Sequence, residues 1–261
     1  CAPVGVFLLL RRMSLTGDAM AHAILPGAAI GYLLSGLSLT AMTLGGVAAG
    51  LLVAVGSGLV ARSTVLREDA SLAAFYLLSL ALGVLIVSTR GSSVDLLHVL
   101  FGTVLALNDA ALTLLVGIAV ATLAALALMY RPLVLECLDP QFLRSVSRFS
   151  ALAHYGFLVL VVICLVAGFH ALGTLMAVGI MVLPAATARL WVRGVPALMA
   201  LAAALALAAC VAGLLISYHA DWPTSPTIVL NLGAVYLVSL LVGRHGAWRS
   251  GQHGRQRHLR A

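Results

Sequence analysis

The chain has 261 residues, of which 62% are hydrophobic and 9% charged, with a formal net charge of +7 and a mean hydropathy of +1.13. Soluble domains are roughly 45–50% apolar and about 25% charged, so this composition excludes a water-soluble fold, a disordered chain and a collagen-like repeat. All 15 basic residues are Arg, and a Walker A loop needs a Lys on the nucleotide phosphates, so any ATP-driven work falls to a partner.

Ala2 to Leu10 is apolar and ends at Arg11-Arg12. As helix it covers about 13–14 Å of a membrane core of roughly 30 Å. The chain starts at Cys1, not Met, and the first helix is expected to be truncated. At about 20 apolar residues per crossing, further spans fall near 19–36, 40–61, 70–88, 109–130, 151–168, 172–190, 195–217 and 227–243. The expected architecture is all-α: a polytopic transmembrane bundle of about nine crossings. Residues 1–243 form its transmembrane domain and 244–261 a basic cytoplasmic tail, expected to be disordered. The segment 95–107 is too short to cross.

Cytoplasmic loops are enriched in Arg and Lys. Arg11 and Arg12, Arg62 and Arg67, Arg131 with Arg144 and Arg148, Arg189 and Arg193, and the tail Arg residues fall on one side. Arg90 stands alone on the other, with Asp95, Asp109, His219 and Asp221. The alternation closes without contradiction and places the C-terminus in the cytoplasm of a multi-pass protein of the cell (inner) membrane. Short Arg clusters between apolar runs set topology; they do not form a nucleic-acid surface. Cys1, Cys137, Cys164 and Cys210 lack CxxC spacing and read as small packing residues.

The stretch from Arg131 to Arg148 reads as a loop with one structured element. Asp139 at an N-cap with Pro140 at N1 is a sound helix start. Phe142, Leu143 and Val146 then recur at helical spacing, with Arg144 and Arg148 on another face. A short amphipathic helix there either lies on lipid headgroups or docks into a partner.

Ionisable residues at membrane depth are expensive, so each is a functional candidate. Asp18 and His22 are four apart and share one helix face. A carboxylate oxygen and an imidazole nitrogen suit a divalent transition ion, held loosely enough to be released. The plainer alternative is an Asp–His contact that only joins helices. Pro26-Gly27 follows one turn later, and Pro26 frees the carbonyl of His22, either as a further oxygen ligand or in a simple packing kink. Pro184 interrupts another span in the same way. His154 and His170 lie at opposite ends of one span, and His98 falls in the short segment; each reads as a hydrogen-bonded structural group. The Gly45-Gly46, Gly50, Gly56 and Gly58 series and Ala202 to Ala209 allow close helix approach. His245, His253 and His258 lie among Arg and Gly in the basic tail, near anionic headgroups. Motifs of soluble hydrolases and nucleotide-binding folds are absent from the sequence.

Four stretches together resemble the membrane permease subunit of bacterial metal-ion ABC importers of the zinc/manganese/iron type. They are Leu10 to Gly27 (LRRMSLTGDAMAHAILPG); Arg67 to Ala70 followed by Ala81 to Val84; Leu100 to Ala106; and Gly173 to Arg189. The first is the most specific, and they follow the family's order over nearly the whole chain. The resemblance implies a homodimeric or paired permease, driven by a separate cytoplasmic ATPase and fed by an extracytoplasmic metal-binding protein. It implies no permanently bound cofactor; the divalent ion is cargo. It favours the metal reading of Asp18 and His22, and makes Leu138 to Arg148 the coupling helix that docks into the ATPase. Other readings are an ATP-independent carrier or channel in which Asp18 relays protons, and an ABC permease for metal chelates such as siderophores.

Overall fold

The computed structural model describes residues 1–36, 38–64, 68–90, 109–138 and 149–243, and every regular element among them is an α-helix. The predicted 139–148 helix, the 95–107 segment with His98, and the 244–261 tail lie outside the described residues.

The first helix, α1 (Ala2–Leu10), ends in a tight reversal. Met13 N–H donates to Leu8 O at 2.9 Å and Arg12 N–H to Leu9 O at 3.1 Å, with Arg12 at φ 59°. This is a Schellman motif with Arg where Gly is usual, and the left-handed conformation costs a non-glycine residue about 1–2 kcal/mol. Leu8 and Met13 are both buried in the same core cluster. The reversal turns Arg12 outward and Arg11 inward.

Two helices follow in nearly continuous sequence, α2 (Ser14–Ala23) and α3 (Leu25–Ser35). The predicted 19–36 span therefore begins five residues early and is divided at Ile24. Pro26 explains the division, since it cannot donate to the carbonyl of His22. The backbone does not unwind: Ile24 keeps right-handed helical angles, φ −74° and ψ −28°. The polar run Ser14, Thr16, Gly17 looks loop-like in sequence, but Thr16 and Gly17 are buried against neighbouring helices.

Helix α4 (Leu39–Ser63) returns along α3 at backbone contact. A Cβ added at Gly27 would strike the carbonyl of Gly45, and one at Gly31 the carbonyl of Ala41. In lipid, helices gain little from excluding water and associate through close packing, so such small-residue seams hold the pair. Helix α5 (Glu68–Arg90) then packs on α2, α3 and α4, and Ser71 Oγ donates to Ser57 O at 2.9 Å.

Helix α6 (Asp109–Leu128) and helix α7 (Tyr130–Leu138) meet at a 63° bend. Residues 131–138, read from sequence as the start of a loop, are thus helical. Pro132 falls in the first turn of α7, where its missing N–H costs nothing. Helix α8 (Phe149–Leu172) is central: Phe157, Leu158, Val161, Val162, Leu165 and Val166 are all fully buried. Gly173, at φ 79°, turns the chain into α9 (Thr174–Arg189), which carries Pro184 inside it and packs on α1. The last two helices, α10 (Val195–Ala220) and α11 (Thr224–Val242), complete a second core cluster with α1 and α9.

The helices α4, α10 and α11 are each long and apolar enough to cross a membrane, and the bent α6–α7 pair forms a further, broken span. Helices α5, α8 and α9 hold shorter apolar stretches, and α2–α3 is interrupted. Each sequence-predicted span coincides with helix. Those too short by length alone are packed against neighbours, where shortened or broken helices can satisfy their backbone groups.

Candidate metal translocation site

Helix α2 lies against α1, α4, α5, α8 and α9. Thr16, Gly17, Ala19, Met20, Ala21 and Ala23 are buried. One stripe stays open: Leu15, Asp18, His22 and Leu25, spaced three, four and three residues apart, follow one helix face. Asp18 Oδ1 and His22 Nε2 are 3.8 Å apart, and their side chains are 64% and 34% exposed. At that distance the two groups form no direct hydrogen bond. Both donors point from the same open stripe.

The longitudinal position follows from the rise per residue. As continuous helix, Ser14 to Ser35 would cover roughly 33 Å, with His22 about 12 Å from its start. Interrupted helices near mid-membrane, offering freed backbone groups beside side-chain donors, are the usual material of transporter sites. Pro26 and Gly27 are both buried, one turn beyond His22. Around this joint α5 and α4 close tightly. Ser79 Oγ donates to Ala23 O at 2.9 Å, a Cβ on Gly83 would approach Pro26 N to 3.2 Å, and Gly27 abuts Gly45. Pro184 is buried within α9, three residues from Met181, whose backbone carbonyl contacts Gly5 and whose sulfur lies near Gly17. Met181 thus connects α9 to both α1 and α2.

Among the described residues no group of three or more His, Cys, Asp or Glu side chains converges on one point. Within one chain, Asp18 and His22 therefore offer two candidate donors. His154 and His170 occupy opposite ends of α8, about 24 Å apart along its axis.

A second ionisable cluster was not singled out in the sequence. Arg11 Nη2 donates to Glu136 Oε1 at 2.8 Å and to His154 Nδ1 at 2.7 Å. Its members belong to the α1–α2 turn, α7 and α8, with side chains 8, 4 and 6% exposed. Arg11 reads in sequence as topology-setting surface charge; it is instead enclosed, and Arg12 is the exposed member of the pair. The signal that could have found it is Glu136 itself, a lone acid among apolar residues that needs a cation when buried.

A helical bundle with several apolar spans, an interrupted helix and two metal-type donors on its open stripe defines a multi-pass membrane transport protein. The comparison with known families narrows this class. The chain belongs to the ABC 3 transport family, whose model matches residues 1–243. It is 33% identical over 239 residues to the manganese import system permease protein ScaB of Streptococcus parasanguinis, covering 92% of this chain and 84% of that protein. It is 32% identical over 240 residues to the manganese transport system membrane protein MntC of Halalkalibacterium halodurans, covering 92% and 81%. Among solved structures, PsaBC from Streptococcus pneumoniae in complex with Fab superposes with a TM-score of 0.83 at 29% identity, over 96% of this chain and 89% of that one.

Proposed function

We propose that the chain is the permease subunit of an ABC importer for a divalent transition-metal ion, Mn2+ first, with Asp18 and His22 as transient ligands. The observation that carries this reading is the open stripe on α2, a helix enclosed on its other faces. A carboxylate and an imidazole turned to acyl chains would be costly, so the stripe belongs on a polar pathway or against another subunit. The manganese named for the similar permeases agrees with an oxygen- and nitrogen-donor set.

Two donors make a weak site, and a second copy of the chain brings its own pair to the same pathway. A homodimer with the α2 stripes facing each other therefore supplies a fuller coordination shell without a permanent cage. The ion is cargo, released after transit. With no Lys in the chain, ATP hydrolysis comes from a separate cytoplasmic subunit, docked on the Asp139, Pro140, Phe142, Leu143, Arg144 and Arg148 segment. An extracytoplasmic metal-binding protein delivers the ion to the opposite face. The Arg distribution puts the ATPase face and the C-terminus in the cytoplasm. Transport is alternating access: the motor moves the coupling segment, the two halves rock, and the Asp18–His22 pair opens first outward, then inward.

The test is reconstitution of the permease with its ATPase and binding protein in liposomes, measuring radioactive Mn2+ uptake. Uptake should require ATP and fall to background in the Asp18→Ala/His22→Ala double variant. Uptake by that variant equal to the unaltered protein refutes the site; uptake without the ATPase, driven by a proton gradient, refutes the ABC mechanism.

A further inference from the structure

Of the buried ionisable groups, only Arg11, Glu136 and His154 form a charged cluster outside the metal stripe among the described residues. Arg is solely a donor, so the 2.7 Å contact makes His154 Nδ1 an acceptor and puts its ring proton on Nε2. The guanidinium carbon lies 5.1 Å from the centre of the Phe157 ring, and Phe7 meets Phe157 and Tyr130 edge-on at 6.2 Å. Aromatic groups from α1, α7 and α8 thus wall the cluster in. Among the described residues, Arg11 Nη1 and Glu136 Oε2 are buried without a hydrogen-bond partner.

The cluster's place in the chain is what gives it meaning. Glu136 lies three residues before Asp139, and His154 six residues after Arg148. Arg11 therefore bridges α7 and α8, the two helices that flank residues 139–148 in sequence. Arg11 lies three residues before Ser14, the first residue of α2, in the Schellman turn that sets the direction of that helix. A rigid helix then carries any tilt at the turn to Asp18 and His22.

We propose that the Arg11–Glu136–His154 cluster is the joint through which movement of the 139–148 segment reaches α2 and its metal ligands. This rests on the reading of 139–148 as the ATPase-docking segment. A merely structural core at this position would be better served by apolar side chains, since buried ion pairs rarely stabilise more than their apolar replacements. A directional charge link, by contrast, fixes the register between α7, α8 and the α1–α2 turn while the bundle moves.

The experiment compares Mn2+ uptake and ATP hydrolysis in the same liposomes, containing permease, ATPase and metal-loaded binding protein. Glu136→Gln keeps the volume and removes the charge. It should retain ATP hydrolysis while the number of ions imported per ATP falls about tenfold, within the range for single changes along a coupling route. Arg11→Met/Glu136→Leu, which leaves no orphaned charge, should keep the thermal stability of the complex and show the same low ratio. An unchanged ratio in the double variant, or uptake and hydrolysis falling in proportion, overturns the joint. Absence of ATP-driven uptake in the unaltered complex would instead overturn the functional reading beneath it.

Discussion

The Ser79 hydroxyl donates to the carbonyl oxygen of Ala23 at 2.9 Å, tying α5 to the point where α2 gives way to α3. Ala23 follows His22 directly, so this one bond helps fix the azimuth of the imidazole at a place where Pro26 has removed a helix bond. Ser79→Ala should cost about 1 kcal/mol, the net worth of a typical hydrogen bond, read as thermal unfolding of the purified protein. Its effect on transport should be on the Mn2+ concentration for half-maximal uptake, which rises more than the maximal rate falls.

The seam between α3 and α4 should not accept a methyl group. At Gly27 an added Cβ would meet the Gly45 carbonyl carbon and the Ala49 Cβ at 2.6 Å each, and backbone cannot swing aside as a side chain can. Gly27→Ala should destabilise by roughly 1–3 kcal/mol, the usual range for overpacking. Gly117 in α6 has nothing within 4 Å, and Gly117→Ala should stay within about 0.5 kcal/mol of the parent. Melting temperatures of the two variants in one detergent make the comparison.

Much of this architecture was legible as hydropathy, because a lipid-embedded helix must be apolar along a fixed length. The runs that became α4, α10 and α11 announce themselves. The Asp18–His22 pair stood out in the sequence for the complementary reason: ionisable groups inside such a run are expensive. What hydropathy hid was partner choice. Arg11 lies 125 residues from Glu136 and 143 from His154, and no local spacing links them. Arg11 next to Arg12 looks like one surface patch; only the turn at Arg12 separates their fates. Helix α7 was hidden because Arg131-Pro132 resembles the end of a span, although Pro is equally at home in a first helical turn.

Burial makes the Arg11–Glu136 pair unforgiving of single changes. Glu136→Ala leaves a guanidinium enclosed without its counter-charge, and should cost about 3–5 kcal/mol. Arg11→Met in the background of Glu136→Leu should recover most of that loss, because the desolvated charge has gone with its partner. Thermal unfolding of the three proteins decides it; equal losses in single and double variants would contradict the pairing.

The inferred orientation can be checked at two exposed positions. Asp221 follows α10 at φ 54°, and Arg193 lies in the turn between α9 and α10. In a background lacking the four native Cys, Asp221→Cys in intact cells should react with a membrane-impermeant maleimide. Arg193→Cys should react only after permeabilisation. The reverse pattern would invert the topology.

Ligand chemistry at the stripe should control which ion is carried. Imidazole nitrogen favours Zn2+ over Mn2+ more strongly than carboxylate oxygen does. His22→Asp keeps a donor one turn from Asp18 and changes its hardness, shortening the side chain on a stripe that is open and can tolerate the change. The variant should keep part of its Mn2+ uptake while competition by Zn2+ weakens relative to the parent. His22→Leu removes the donor and should lose uptake of both ions. If the His22→Asp variant were inhibited by Zn2+ as strongly as the parent, the imidazole would not be a ligand, and its 3.8 Å approach to Asp18 would be a structural contact after all.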